Sequence, residues 1–149
     1  MTDAVLDLLV VDDDELTAES LQRSLKKVSD FFRVIPATDG LQALEILRGR
    51  SKVRIERPFL VLLDLNMPRM NGFEFLEELR ADPGFRGSVV FVLSTSDAEG
   101  DISRAYEQCV AGYMVKTIVG SQFSQIAKML VEYAETIRMP NQEAHMETS

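Results

Sequence analysis

Three acids in a row, Asp12, Asp13 and Asp14, end one apolar run, and a fourth, Asp64, ends another; Ser94 and Thr95 end a third and Lys116 a fourth. Carboxylates gathered at one edge repel each other, so one of them should carry a raised pKa unless a cation sits among them. Oxygen donors without clustered histidine or cysteine suit a hard divalent ion, Mg2+ with Mn2+ as the alternative, over zinc. Cys109 and His145 stand alone and offer no zinc site. A carboxylate is also a competent nucleophile toward phosphorus, as in enzymes that pass through aspartyl phosphate. Such a transfer depends on neutralising charge: a metal takes one phosphoryl oxygen, a lysine ammonium a second, and a hydroxyl or backbone N–H a third. Asp64 is the favoured nucleophile because it alone follows the most apolar run, Phe59 to Leu63, whose burial would fix its position. Singly, each group has a blander reading. Asp12 to Asp14 could be a solvated turn and helix cap, Ser94 and Thr95 a cap for the next helix, and Lys116 ordinary surface. Their common place at strand ends is what sets them apart.

The elements that must position these groups follow from the hydrophobic pattern. Leu6 to Val11 (LDLLVV) reads as a buried parallel strand stopping at the acids. From Asp14 the spacing turns helical, with Leu16, Leu21, Leu25 and Val28 assigned to one face. Arg33 to Ala37 is a weaker strand, demoted toward an edge by Pro36, and Asp39 caps a helix carrying Leu41, Leu44, Ile46 and Leu47. Gly49 to Pro58 is basic and aperiodic, a solvated connection longer than usual. Phe59 to Leu63 is the third strand, followed by a loop with Pro68 and Gly72 and a helix from Phe73 to about Ala81. Ser88 to Leu93 is the fourth strand, with a helix over Ala98 to Cys109 capped by Asp97. Tyr113 to Val115 is a short fifth strand, and Ser121 to about Arg138 an amphipathic helix with Phe123, Ile126, Leu130, Val131 and Ala134 toward the core.

Strand and helix alternate five times at separations too long for hairpins. That predicts right-handed crossovers and an α/β fold: a doubly wound, five-stranded parallel sheet, (βα)5, with helices on both faces. In such sheets ligands sit outside the carboxyl ends of the strands, near the point where strand order reverses. Strand 2 supplies only Thr38 and Asp39 there. Residues 1–138 are expected to form one domain and 139–149, polar and following helix 5, a frayed tail.

At 149 residues, with 46% hydrophobic and 27% charged, the chain can fill a core and is not of disordered composition. A net charge of -8 opposes contact with nucleic acid or anionic lipid. A lone cysteine, no leader and no apolar run long enough to span a bilayer lead to the expectation of a cytoplasmic protein.

VVDDDE at Val10 to Glu15, LLDLNMPRMNG at Leu62 to Gly72, LSTS at Leu93 to Ser96 and GYMVK at Gly112 to Lys116 resemble, in order and spacing, the receiver domains of two-component response regulators. The resemblance runs from about Val5 to Arg138 and implies the flavodoxin-like, CheY-like version of the fold. It implies that Asp64 is the phosphoacceptor, Asp13 a direct metal ligand, Asp12 a ligand directly or through water, and Asn66 a ligand through its backbone carbonyl. Ser94 matches the switch hydroxyl, Lys116 the phosphate-binding lysine and Tyr113 the aromatic whose rotamer follows the switch; Ser96 would lie near the attacking water. The implied activity is that of a signalling switch that catalyses only its own phosphorylation and dephosphorylation. Thr117 stands where a proline commonly follows the lysine, and the connection before strand 3 is long. Both features are similar to stand-alone regulators that pair with phytochrome-type histidine kinases. That likeness implies a sensor histidine kinase, a bacteriophytochrome, as partner, and a homodimer through the helix 4, strand 5, helix 5 side.

Three rivals remain at the level of sequence. A phosphohydrolase with an Asp nucleophile would place its D-x-D pair on the first strand and need a cap. A flavodoxin-like cofactor binder would need a phosphate-binding loop where this chain has acids. A receiver-like scaffold independent of phosphate finds support only in Thr117.

Overall fold

The computed structural model describes residues 6–116 and 123–139. Five strands, β1 (Leu6–Val11), β2 (Phe32–Ala37), β3 (Phe59–Leu63), β4 (Val89–Ser94) and β5 (Gly112–Val115), form one sheet. The strands lie in the order β2-β1-β3-β4-β5 with every pair parallel. The helices are α1 (Glu15–Val28), α2 (Gly40–Leu47), α3 (Gly72–Ala81), α4 (Glu99–Glu107) and α5 (Phe123–Thr136). This is the expected doubly wound architecture.

Because side chains alternate along a strand, each central strand feeds two cores. Leu9, Val11, Val61, Leu63, Val90 and Val92 point to the face covered by α2 and α3, with Ala105 of α4. Leu8, Val10, Leu60, Leu62, Phe91 and Leu93 point to the other face, under α1 and α5. Ile126, Leu130 and Val131 are buried there, as expected of a core-facing stripe, with Phe123 and Ala134 partly buried. Met139, placed by sequence at the start of a tail, also packs against this cluster.

The helical faces differ from expectation in three places. On α1 the buried residues Thr17, Leu21 and Leu25 recur every four positions, which turns Leu16 about 100° away and leaves it 64% exposed. Val28 and Leu41 are exposed as well, at the last turn of α1 and the first turn of α2. Asp97 does not cap α4: the helix begins two residues later with Ala98 as N-cap and no side-chain cap bond. The hydroxyl of Ser96 shapes the turn just ahead of the helix, accepting from Ala98 N at 3.3 Å and donating to Asp101 Oδ2 at 2.6 Å.

One residue of the first apolar run proved not to be apolar core. Asp7 is buried in β1, where its carboxylate accepts from Arg33 Nε and Nη2 at 2.8 Å each and from Glu56 N at 2.7 Å. Arg33 also donates to the Arg54 carbonyl at 2.7 Å. The Gly49 to Pro58 connection is thus tied at its far end to the entrance of β1.

Candidate functional site

Register decides which strand tips meet. Val11 lies opposite both Ala37 and Leu63, and Leu63 opposite Val92, so the residues one step further on leave the sheet side by side. Backbone bonds carry the ladder past the strand ends, from Asp12 N to the Ala37 carbonyl at 2.9 Å and from Asp64 N to the Val11 carbonyl at 2.8 Å. Ser94 closes β4 opposite Val115, and Lys116 follows at once. A Cβ on Gly72 would lie 2.6 Å from the Asp64 carbonyl oxygen, so only glycine lets α3 begin this close to β3.

The result is a compact charged cluster. Carboxylate oxygens of Asp12, Asp13 and Asp64 lie within 4.8 Å of one another; Asp12 and Asp64 are buried and Asp13 is exposed. Lys116 Nζ donates to Asp12 Oδ2 at 2.9 Å and to Asp64 Oδ2 at 3.5 Å. Asn66 N donates to Asp64 Oδ1 at 3.2 Å. Beside the cluster opens a cleft of about 470 Å³ whose lining includes Asp13, Asn66, Met67, Asp101 and Arg104.

The electrostatics follow from this crowding. Burial, followed by the charge of Asp12, pushes the Asp64 carboxyl up to about 6, although Lys116 and the Asn66 N–H pull against it. Burial disfavours the Lys116 ammonium, but its hydrogen bond to Asp12 and the charges of Asp64 and Asp12 outweigh that and raise its pKa. Three acids and one ammonium leave the cluster net negative. Its donor set, all oxygen and partly open to the cleft, fits a hard divalent cation.

Not every predicted group joins the cluster. Asp14 turns away to cap α1, accepting from Leu16 N at 3.0 Å. Ser94 is fully buried at the end of β4, with its hydroxyl accepting from Ser96 N at 3.2 Å, whereas the Thr95 side chain is exposed. Tyr113 is half-buried and donates its hydroxyl to the Ser96 carbonyl at 2.9 Å, which ties β5 to the segment leading into α4. Thr117 lies outside the described residues.

Sequence reasoning passed over strand 2, and the structure shows what it missed. Asp39 is buried and does more than cap α2: Arg69, from the loop after Asp64, reaches back to its Oδ2 through Nε at 2.7 Å and Nη2 at 2.6 Å. Arg69 has φ 63°, a backbone state a non-glycine residue rarely adopts. Nothing in MPRMNG singles out Arg69; an Asp cap with a second free oxygen was the only available hint.

A parallel sheet in this order, tipped by clustered acids and a lysine, defines a phosphoryl-switch type of domain. The chain belongs to the response regulator receiver domain family, which it matches over residues 8–128. It is 31% identical over 135 residues to the response regulator Rcp1 of Synechocystis sp., covering 89% of this chain and 92% of that protein. Among solved structures it resembles the phosphorylated cyanobacterial phytochrome response regulator RcpA with a TM-score of 0.80 and 32% identity, covering 93% of this chain and 100% of that one. It resembles the Mn2+-bound form of Rcp1 with a TM-score of 0.78 and 28% identity, covering 91% and 99% of the two chains. These relationships identify a receiver-type response regulator of phosphorelay signalling. No helix among the described residues is long and apolar enough to cross a membrane.

Proposed function

We propose that Asp64 accepts a phosphoryl group from the phosphohistidine of a sensor histidine kinase, in a reaction that requires Mg2+. The observation that carries this reading is the meeting of Asp12, Asp13 and Asp64 within 4.8 Å, with the Lys116 ammonium in hydrogen-bond reach of the two buried acids. An Asp64 oxygen attacks phosphorus, the P–N bond breaks, and the imidazole leaves with the electron pair. Asp12, Asp13, Asp64 and the Asn66 carbonyl would hold the ion, which supplies neutralisation of charge on the phosphoryl oxygens. Lys116 pairs with a second phosphoryl oxygen and the Ser94 hydroxyl donates to a third. Movement of Ser94 then reaches the Ser96 segment and Tyr113, and with them the surface of α4, β5 and α5. The protein catalyses only its own phosphorylation and hydrolysis.

The partner is a kinase of the phytochrome type, a reading supported by the resemblance to the phytochrome response regulator RcpA and to a response regulator in red light signalling of R. palustris, the latter 29% identical with a TM-score of 0.77. A homodimer through the α4, β5, α5 side, a cytoplasmic location, and no contact with nucleic acid or membrane complete the proposal, the last in keeping with the net charge of -8.

Acetyl phosphate with Mg2+ is expected to add one phosphoryl group, read by intact-protein mass spectrometry, and Asp64→Asn is expected to stay unmodified. An unmodified wild-type chain would leave a phosphate-independent scaffold, and a labelled Asp64→Asn would displace the nucleophile.

A further inference from the structure

The loop from Asp64 to Gly72 is closed at its base by Gly72 N donating to the Leu65 carbonyl at 3.0 Å. Its crown is held from a different strand. Asp39, 4% exposed at the tip of β2, spends one carboxylate oxygen on Gln42 N at 2.9 Å and the other on the two-pronged contact with Arg69 at 2.6 and 2.7 Å. The next residues repeat the join: Gly40 N donates to the Met70 carbonyl at 3.2 Å, and a Cβ on Gly40 would lie 2.8 Å from Met70 Cγ. Between base and crown lies Asn66, which borders the cleft with Asp13 and whose N–H already holds Asp64.

A helix cap needs only one carboxylate oxygen, and Asn would serve as well. The second oxygen and the left-handed φ of Arg69 have no part in capping. A planar guanidinium gripped by a buried carboxylate fixes orientation as well as distance, which offsets the cost of holding a non-glycine residue at φ 63°. We infer that Asp39 and Arg69 form a clasp that positions the Asn66 side of the metal site, making both of them positioning residues for cation binding although neither belongs to the acidic cluster.

The inference rests on the metal-binding reading above, and charge separates it from a simple field effect. Asp39→Asn removes a negative charge and should weaken cation binding through the field alone. Arg69→Gln removes a positive charge and through the field alone should strengthen it. A clasp predicts that both weaken it. Mn2+ binding followed by electron paramagnetic resonance is expected to show each variant about tenfold weaker than wild type, the low end for loss of an outer-shell partner. The double variant should be no weaker than either single one. Thermal melting controls for folding: Asp39→Asn keeps the α2 cap acceptor, and Arg69 has a 61% exposed side chain, so its replacement leaves the core intact. Tighter or unchanged Mn2+ binding by Arg69→Gln would overturn the clasp. Failure of the wild-type chain to bind Mn2+ at all would instead remove the metal reading on which the clasp depends.

Discussion

At Asp64 the groups that make a nucleophile also make a liability. Its pKa of about 6 arises first from burial and then from Asp12, so at neutral pH the anion predominates by a far smaller margin than for an ordinary carboxylate. Phosphorylation by acetyl phosphate at low Mg2+ should therefore fall as pH drops through about 6, and saturating Mg2+ should move that fall to lower pH; rates measured by intact mass across pH 5 to 8 test both. Stability carries the opposite sign. Because the folded pKa lies above the ordinary 3.8, Asp64 costs nothing below that value and costs most once pH has risen past about 6. Asp64→Asn should accordingly be more stable than wild type at pH 7.5 in EDTA, by of the order of 2 kcal/mol. The gain should vanish near pH 4, as denaturant titration at the two pH values would show.

Among the elements, what could be read in advance was whatever sits next to its cause along the chain. Leu6 to Val11 and Phe59 to Leu63 stop at acids because the sheet stops there, and both runs match β1 and β3 residue for residue. The meeting of Asp12, Asp13, Asp64 and Lys116 at the strand tips was legible for the same reason. Asp7 was not, because its partners Arg33 and Glu56 are 26 and 49 residues away and only the pairing of β1 with β2 and with β3 reveals them. Arg69 was hidden likewise, its partner 30 residues back. The start of α4 was misplaced because Asp97 reads as a cap but makes no cap bond, and Ser96 shapes the turn ahead of a helix that begins without a side-chain cap. Asp7→Ala is expected to cost about 2 kcal/mol in chemical denaturation, since it leaves the Glu56 N–H without its acceptor while Arg33, half exposed, regains water. Asp7→Asn should recover part of that loss.

The molecule as a whole divides its two faces unequally. One is a broad core in which α2 and α3 bury most of their apolar residues, whereas α4 on the same side buries only Ala105 and leaves Tyr106 49% exposed. That thin cover beside edge strand β5 is where a second copy would gain most by docking. Val131 is unsuited to testing this, being 5% exposed and part of the core beneath α5. Tyr106→Glu is the better probe: light scattering should show a dimer for the wild-type chain and a mass near that of one chain for the variant. An unchanged mass would place the contact elsewhere or deny it.

β3 occupies the middle of the sheet, with two strands to either side. A disturbance at its tip therefore starts equidistant from both margins, some 10 Å from each. The β2 margin is joined to the loop after β3 by the Asp39 and Arg69 pair, while the β5 margin, beyond its ladder to β4, is joined to the segment before α4 by the Tyr113 hydroxyl on the Ser96 carbonyl. An evenly placed hammer would thus meet an anvil on one hand and a spring on the other, and under the proposed switch the message would leave on the compliant side without any wire drawn to it.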